Sequence, residues 1–406
     1  MVTDFKERER LSMSAEQRKK IIILMINMFI AIGSFGIIIP ILPAYLASID
    51  QGGTAAGLMI AIFAGAQLIF SPIAGKWTDL YGRRKMIIYG LVGLTLSMFI
   101  FFAVNSIWLL YASRVIGGIG AALLIPAIFA YVADITTFDQ RAKGNSLVSA
   151  AMSLGIVIGP GIGGFLADFG LKFPFLISAL VSLSAVVFSI FVLKESETAQ
   201  IASAPESNDS MVRKIALSVK MPYFIPLIIT LVMSFGLMAY ESVIGLYLDN
   251  QFDSSPKDIA VMVTATGIVS VIVQLFVVDR IVRRFGEVNV LNIFISVAAI
   301  GFLLSLFASS YLTFFLISLI IFLSTSILRP VLNTLISKMA GNEQGFAMGM
   351  NNAYMSIGNV LGPTLAGLMY DIHITYPFML GLFLLIITLL ITMAWNKRSH
   401  HAKALS

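Results

Sequence analysis

The sequence predicts an all-α integral membrane protein of twelve transmembrane helices in two pseudo-symmetric six-helix bundles, and three observations carry that reading. Apolar stretches of about twenty residues fill the chain from Ile21 to Trp395, and ~20 apolar residues rising ~1.5 Å each cross a hydrocarbon core of ~30 Å. A polar segment after Lys194 divides these stretches six and six. Motifs from the first six return in the second.

The spans follow in order at 21–46, 57–75, 86–105, 107–133, 144–167 and 173–193, then 222–248, 259–278, 288–308, 311–336, 345–369 and 377–395. The first contains no Asp, Glu, Lys, Arg or His and follows a charged leader. It is longer than the apolar core of a signal peptide and has no convincing small-residue cleavage site, so it reads as a retained helix. The remaining chain forms a cytoplasmic segment 1–20, a linker 194–221 and a tail 396–406, flanking bundles 21–193 and 222–395. Within the linker, Glu195-Ser-Glu197 and Ala202 to Asp209 are polar without apolar period.

Composition agrees: 58% hydrophobic and 12% charged residues, with mean hydropathy +0.93, exclude a water-soluble core. Cysteine does not occur, which excludes a disulfide framework, a thiolate metal site and a Cys nucleophile. His373, His400 and His401 show no ligand spacing, so no metal is expected. Of 27 Lys and Arg, Arg114 and Arg329 lie inside spans and Lys172 and Lys257 on odd-to-even connections; all others stand on the opposite side. Positive charge concentrates on the cytoplasmic side, so both termini are expected there. That topology accounts for the net charge of +6 and leaves no nucleic-acid reading.

Three echoes support a duplication. Ser34-Phe35-Gly36 returns as Ser234-Phe235-Gly236, and Asp79 followed by Arg83-Arg84 returns as Asp279 followed by Arg283-Arg284. The longest, Gly155-x3-Gly159-Pro160-x3-Gly164-x3-Asp168, returns as Gly358-x3-Gly362-Pro363-x3-Gly367-x3-Asp371, with Pro174 and Pro377 following at equal distance.

Gly75-Lys-Trp-Thr-Asp79-Leu-Tyr-Gly82-Arg83-Arg84-Lys85 lies between the second and third spans. It is either an ordinary basic loop or a built turn in which glycines permit tight bending and Asp79 meets a cation or a helix amino end. Arg114, in Arg114-Val-Ile-Gly-Gly-Ile-Gly120, is costly in the membrane unless it faces a cavity or partner, or snorkels outward. The Gly155, Gly159 and Gly164 series lets backbones approach, and Pro160 removes a helical hydrogen bond; plain packing is the simpler reading. Glu241 is the carboxylate placed well inside a span. Desolvation disfavours the charged form of a carboxylate, so at that depth it is suited to trade a proton for a cationic guest, unless it forms a static pair with an Arg. Gln67, Tyr240, Asn333, Asn351, Asn352 and Asn359 are intramembrane polar groups that line a cavity or hold helices together. Thirty Phe and twenty Met suit a pocket that accepts many shapes, although most must pack or face lipid.

The loop from Asp79 to Lys85 resembles the signature of the major facilitator superfamily, departing from it at Leu80 and Trp77. The Arg114 segment resembles the superfamily's proton-coupling motif, and the Gly159-Pro160 segment its antiporter motif. From residue 20 to 395 the chain is similar to twelve-helix drug:proton antiporters, the bacterial multidrug exporters of the NorA and Bmr type. Ile38-Ile39-Pro40, Ser113-Arg114, Ser234-Phe235-Gly236 with Glu241, Ser255-Pro256, Arg329-Pro330 and Gln344-Gly345-Phe346 carry that similarity.

The resemblance implies two six-helix halves that rock about a midplane site. It implies export of small amphipathic, often cationic compounds, such as dyes and fluoroquinolone-like drugs, against returning protons. Proton coupling falls to Glu241 and Arg114, and substrate binding to Glu241, Tyr240, Gln67, Arg329, Asn333 and Asn359. Gating falls to Asp79, Gly82, Arg83, Arg84, Gly155, Gly159, Pro160 and Gly164, with Asp79 latching at the start of the eleventh helix near Gly345. It further implies a monomer in the bacterial cytoplasmic membrane, with the proton gradient as energy source and no cofactor. Ser326 stands where a second acid is expected in this branch. A narrow-specificity exporter or a proton-coupled importer of a metabolite or sugar is the alternative. A membrane enzyme finds no His-rich or paired-carboxylate motif to support it.

Overall fold

The computed structural model describes residues 13–195, 211–340 and 344–404. Most of the expected amino-terminal segment, linker residues 196–210 and the end of the tail lie outside the described residues, as do the side chains of His400 and His401.

The described chain is helical. Helices α1 (Ala15–Ala47), α2 (Gly53–Tyr81), α3 (Arg83–Ala103), α4 (Ile107–Ile135), α5 (Phe138–Leu166) and α6 (Phe173–Val192) precede the linker. A short α7 (Met211–Ser218) leads into α8 (Phe224–Phe252), α9 (Pro256–Phe276), a second short helix α10 (Val278–Phe285), α11 (Glu287–Ser305), α12 (Tyr311–Ala340), α13 (Gln344–Ile372) and α14 (Tyr376–Ala404). Eleven of these are long and apolar enough to cross a membrane. The twelfth expected span is α13, a 29-residue helix that is less apolar because Asn351, Asn352, Asn359 and several glycines stand in it. Capping follows the sequence: Ser255 and Asp258 close a capping box on α9, Thr137 and Gln140 one on α5, and Pro174 occupies the first turn of α6.

Two compact units result, divided between residues 206 and 207 inside the expected linker, with residues 42–61 grouped in the second unit. The first comprises residues 1–41 with 62–206; the second comprises 42–61 with 207–406. The end of α1 and the start of α2 therefore pack with the second unit.

Each unit uses its copy of the repeated glycine motif in the same way. In the first, a Cβ on Gly159 of α5 would stand 2.7 Å from the Gly33 carbonyl oxygen of α1. In the second, a Cβ on Gly358 of α13 would stand 2.6 Å from the Leu231 oxygen of α8. Only glycine permits such backbone approach without displacement. Helix α5 runs through Pro160 without interruption, and Gly36 makes room for the proline ring. Leu24, Met28, Ile87, Leu91, Leu124 and Ile128 fill the core of the first unit. Large apolar groups such as Phe191 and Phe307 stay exposed, as a lipid-facing surface requires.

Candidate functional site

Within the second unit, α8, α12 and α13 surround an open cleft. Periodicity supplies its walls. Thr230, Ser234, Leu237 and Met238 form one stripe of α8; Thr325, Arg329, Leu332 and Asn333 one stripe of α12; Asn351, Met355 and Asn359 recur every four residues on α13. Glu241 continues the α8 stripe, seven residues beyond Ser234, and is partly exposed.

A chain of hydrogen bonds fixes the cleft's polar side. Thr230 Oγ1 donates to Asn351 Oδ1 at 2.9 Å, and Asn351 Nδ2 donates to Asn333 Oδ1 at 2.8 Å. Arg329 Nη2 reaches the Met355 sulfur at 3.0 Å, a weak acceptor for a cation. Arg329 is close enough for its charge to act on Glu241, yet no ion pair between them is found among the described residues. The cleft thus combines one cation, one nearby carboxylate, amides, and thioether and alkyl walls that tolerate varied shapes.

Arg329, Asn333 and Asn359 line this cleft. Tyr240 does not. Its side chain is 1% exposed, its hydroxyl shares a 2.7 Å hydrogen bond with Ser318, and its ring packs among Phe302, Phe314, Phe322 and Phe378. One position before Glu241, it is turned about 100° around α8 from the stripe that carries Glu241. Gln67 lies in the first unit, partly exposed. Ser326 turns its hydroxyl onto the Leu323 carbonyl of its own helix at 2.8 Å.

Arg114 does not snorkel, being 2% exposed. Its Nη2 donates to Ser97 Oγ at 2.8 Å and its guanidinium lies 4.3 Å from the Phe101 ring centre, so an aromatic face and a hydroxyl meet this charge inside the first unit. Its Nε has no hydrogen-bond partner.

The loop after α2 is built rather than merely basic. Arg83 bridges Asp79 and Asp134, each at 3.0 Å, and donates to the Thr78 carbonyl at 2.9 Å. Asp79, expected as a latch near Gly345, is thus engaged within its own unit. Gly82 has φ +99°, and the Glu195 carboxylate occupies the space its missing side chain leaves while accepting from the Arg84 amide at 3.1 Å. By its place at a cytoplasmic helix end the sequence leaves Asp134 a solvated or gate-pairing charge, whereas nothing in the sequence points to Glu195. At the other end of the helices, Asp371 accepts from the Gly53 and Thr54 amides at 2.6 and 2.8 Å and from the Thr54 hydroxyl.

A family model described as Major Facilitator Superfamily matches residues 24–249 and 226–406. The chain is 43% identical to Multidrug resistance protein 2 of Bacillus subtilis (strain 168), over 96% of this chain and 98% of that protein. It is 40% identical to Multidrug resistance protein 1 of the same strain, over 93% and 96%. Quinolone resistance protein NorA of Staphylococcus aureus is 33% identical over 90% and 93%. Among solved structures, a mutant of the nucleoside transporter NupG superposes with TM-score 0.78 at 15% identity, over 92% of this chain and 99% of that one. A bacterial homologue of the human lysosomal transporter Spinster, inward-facing and occupied, gives 0.77 at 13%, over 95% and 98%. Likeness at that identity carries the fold alone.

Proposed function

This chain belongs to the Major Facilitator Superfamily, and from that premise we propose that it is a proton-coupled multidrug exporter of small amphipathic, often cationic compounds. The observation that carries the reading is Glu241, which continues the α8 stripe past the cleft and feels the charge of Arg329, a residue of the cleft wall that also holds thioether and alkyl groups. A carboxylate there can hold a proton or a cationic guest, and the two compete for one charge. The apolar lining binds by area and shape rather than by a fixed hydrogen-bond pattern, which suits many ligands. The proton gradient supplies the energy, without a cofactor and without catalysis. The protein works as a monomer in the bacterial cytoplasmic membrane with both termini inside, a reading supported by its Lys and Arg distribution.

Purified protein in proteoliposomes with an imposed pH gradient tests this. A cationic dye should accumulate on the acidic side and collapse when the gradient is dissipated. A protein that moves a single metabolite and no dye would overturn the multidrug reading in favour of a narrow transporter.

A further inference from the structure

The duplicated charged loop takes a different form in each unit. In the first copy both arginines are engaged by the protein itself: Arg83 bridges Asp79 and Asp134, and Arg84 Nη2 donates to the Ile190 carbonyl at 2.6 Å. In the second copy the chain breaks at Val277, and residues 278–285 form the separate helix α10. Val278, Ile281, Val282 and Phe285 recur at helical spacing on one side of it, and Val278 is buried. Arg280, Arg283 and Arg284 stand exposed on the other. With three Arg and one Asp, residues 278–285 carry a net charge of +2. Arg280 and Arg284 have no ion-pair or hydrogen-bond partner among the described residues. The Arg284 guanidinium lies 5.5 Å from the centre of the exposed Phe285 ring.

One residue, Val277, separates α10 from the span α9, and one, Gly286, separates it from the span α11. Connections this short hold α10 at the border between hydrocarbon and water. Leu275 and Phe276, which end α9, are exposed, as is Phe285, so apolar surface adjoins the arginines. Arg280 and Arg284 stand about one helical turn apart, roughly 6 Å along the axis, within reach of a single phosphate. Guanidinium groups pair with phosphate oxygens through parallel hydrogen bonds. We propose that α10 and the end of α9 form a binding site for an anionic phospholipid, with its phosphate between Arg280 and Arg284 and its acyl chains along Leu275, Phe276 and Phe285. Charge selects the lipid. A phosphatidylglycerol-type headgroup brings net negative charge to a basic helix, whereas phosphatidylcholine cancels its phosphate with its own cation.

Native mass spectrometry of the full chain in detergent, titrated with phosphatidylglycerol or phosphatidylcholine, tests this. The first phosphatidylglycerol should bind about tenfold or more tightly than phosphatidylcholine. A basic side chain near a membrane surface contributes about fivefold in affinity, so Arg280→Gln with Arg284→Gln should weaken phosphatidylglycerol binding roughly thirtyfold and leave phosphatidylcholine binding unchanged. Both side chains are exposed, so this variant should keep the thermal transition of the parent protein. Lys76→Gln with Lys220→Gln removes the same charge from exposed positions elsewhere and should weaken phosphatidylglycerol binding by less than about threefold. Equal affinity for the two lipids, unchanged binding in the arginine variant, or an equal loss in the lysine variant would overturn the site. Displacement of the lipid by millimolar inorganic phosphate would overturn it too, by showing an anion site that has no use for acyl chains.

Discussion

Glu241 and Arg329 show how residue chemistry and position combine. Glu241→Gln removes the exchangeable proton while keeping size and hydrogen bonding, so pH-driven export of a cationic dye should drop to the level of empty vesicles with normal membrane insertion. Dye flux in proteoliposomes checks it, and unimpaired export would move the coupling site elsewhere. Arg114 makes a different kind of test. Its planar cation lies against Phe101, and Lys keeps the charge but loses the stacking plane. Arg114→Lys should lower stability by about 1–2 kcal/mol, the scale of a desolvated cation–π contact, and a thermal-shift assay in detergent reads it. A fully stable Lys variant would reduce Arg114 to a point charge. The residue types at both sites were legible, because charge inside an apolar run is conspicuous. Their partners were not: Ser97, Phe101 and Met355 are ordinary residues in such text, and only packing brings them to the guanidinium groups.

Elements meet through the glycine faces and through charged helix ends. Gly159→Leu would drive a branched side chain into the Gly33 backbone, 2.7 Å from where its first carbon would stand. It should separate α1 from α5 and abolish transport or leave a leaky protein, which proton-leak measurements on vesicles distinguish. Asp371 satisfies two amides that open α2, and replacing such an acceptor costs about 0.5–2 kcal/mol. Asp371→Ala should therefore speed amide exchange at residues 53–57 by roughly two- to thirty-fold, measured by hydrogen exchange with mass spectrometry. Unchanged exchange would show that the glycine contact of Gly57 with Pro363 and Gly367 holds this end alone. Periodic glycines were visible in the text, whereas the pairing of the opening of α2 with the end of α13, over 300 residues apart, has no local signal.

At the scale of the whole molecule, the linker and the repeat make a further prediction. Helix α7 belongs with the second unit, where Ser218 Oγ lies 2.9 Å from the Tyr354 hydroxyl and Ile215 packs on the Tyr223 cluster. A chain divided between residues 196 and 210 keeps α7 on its partner, so the two pieces expressed together should recover dye export, while either alone should accumulate poorly. Failure of the pair to export, with both pieces present in the membrane, would assign the polar linker a role beyond connection.

The number of spans, the duplication, the side that carries positive charge and the depth of Glu241 were determined by the sequence by itself. Each follows from how apolar, charged and small residues are spaced along one dimension, and lipid enforces that spacing locally, helix by helix. Three things were decided only by the tertiary structure. Tyr240 joined an aromatic core instead of the cleft, Asp79 closed on Arg83, and residues 42–61 packed with the second unit. A one-residue step along a helix turns a side chain by about 100°, and which face meets which neighbour depends on atoms that are hundreds of residues away in the chain.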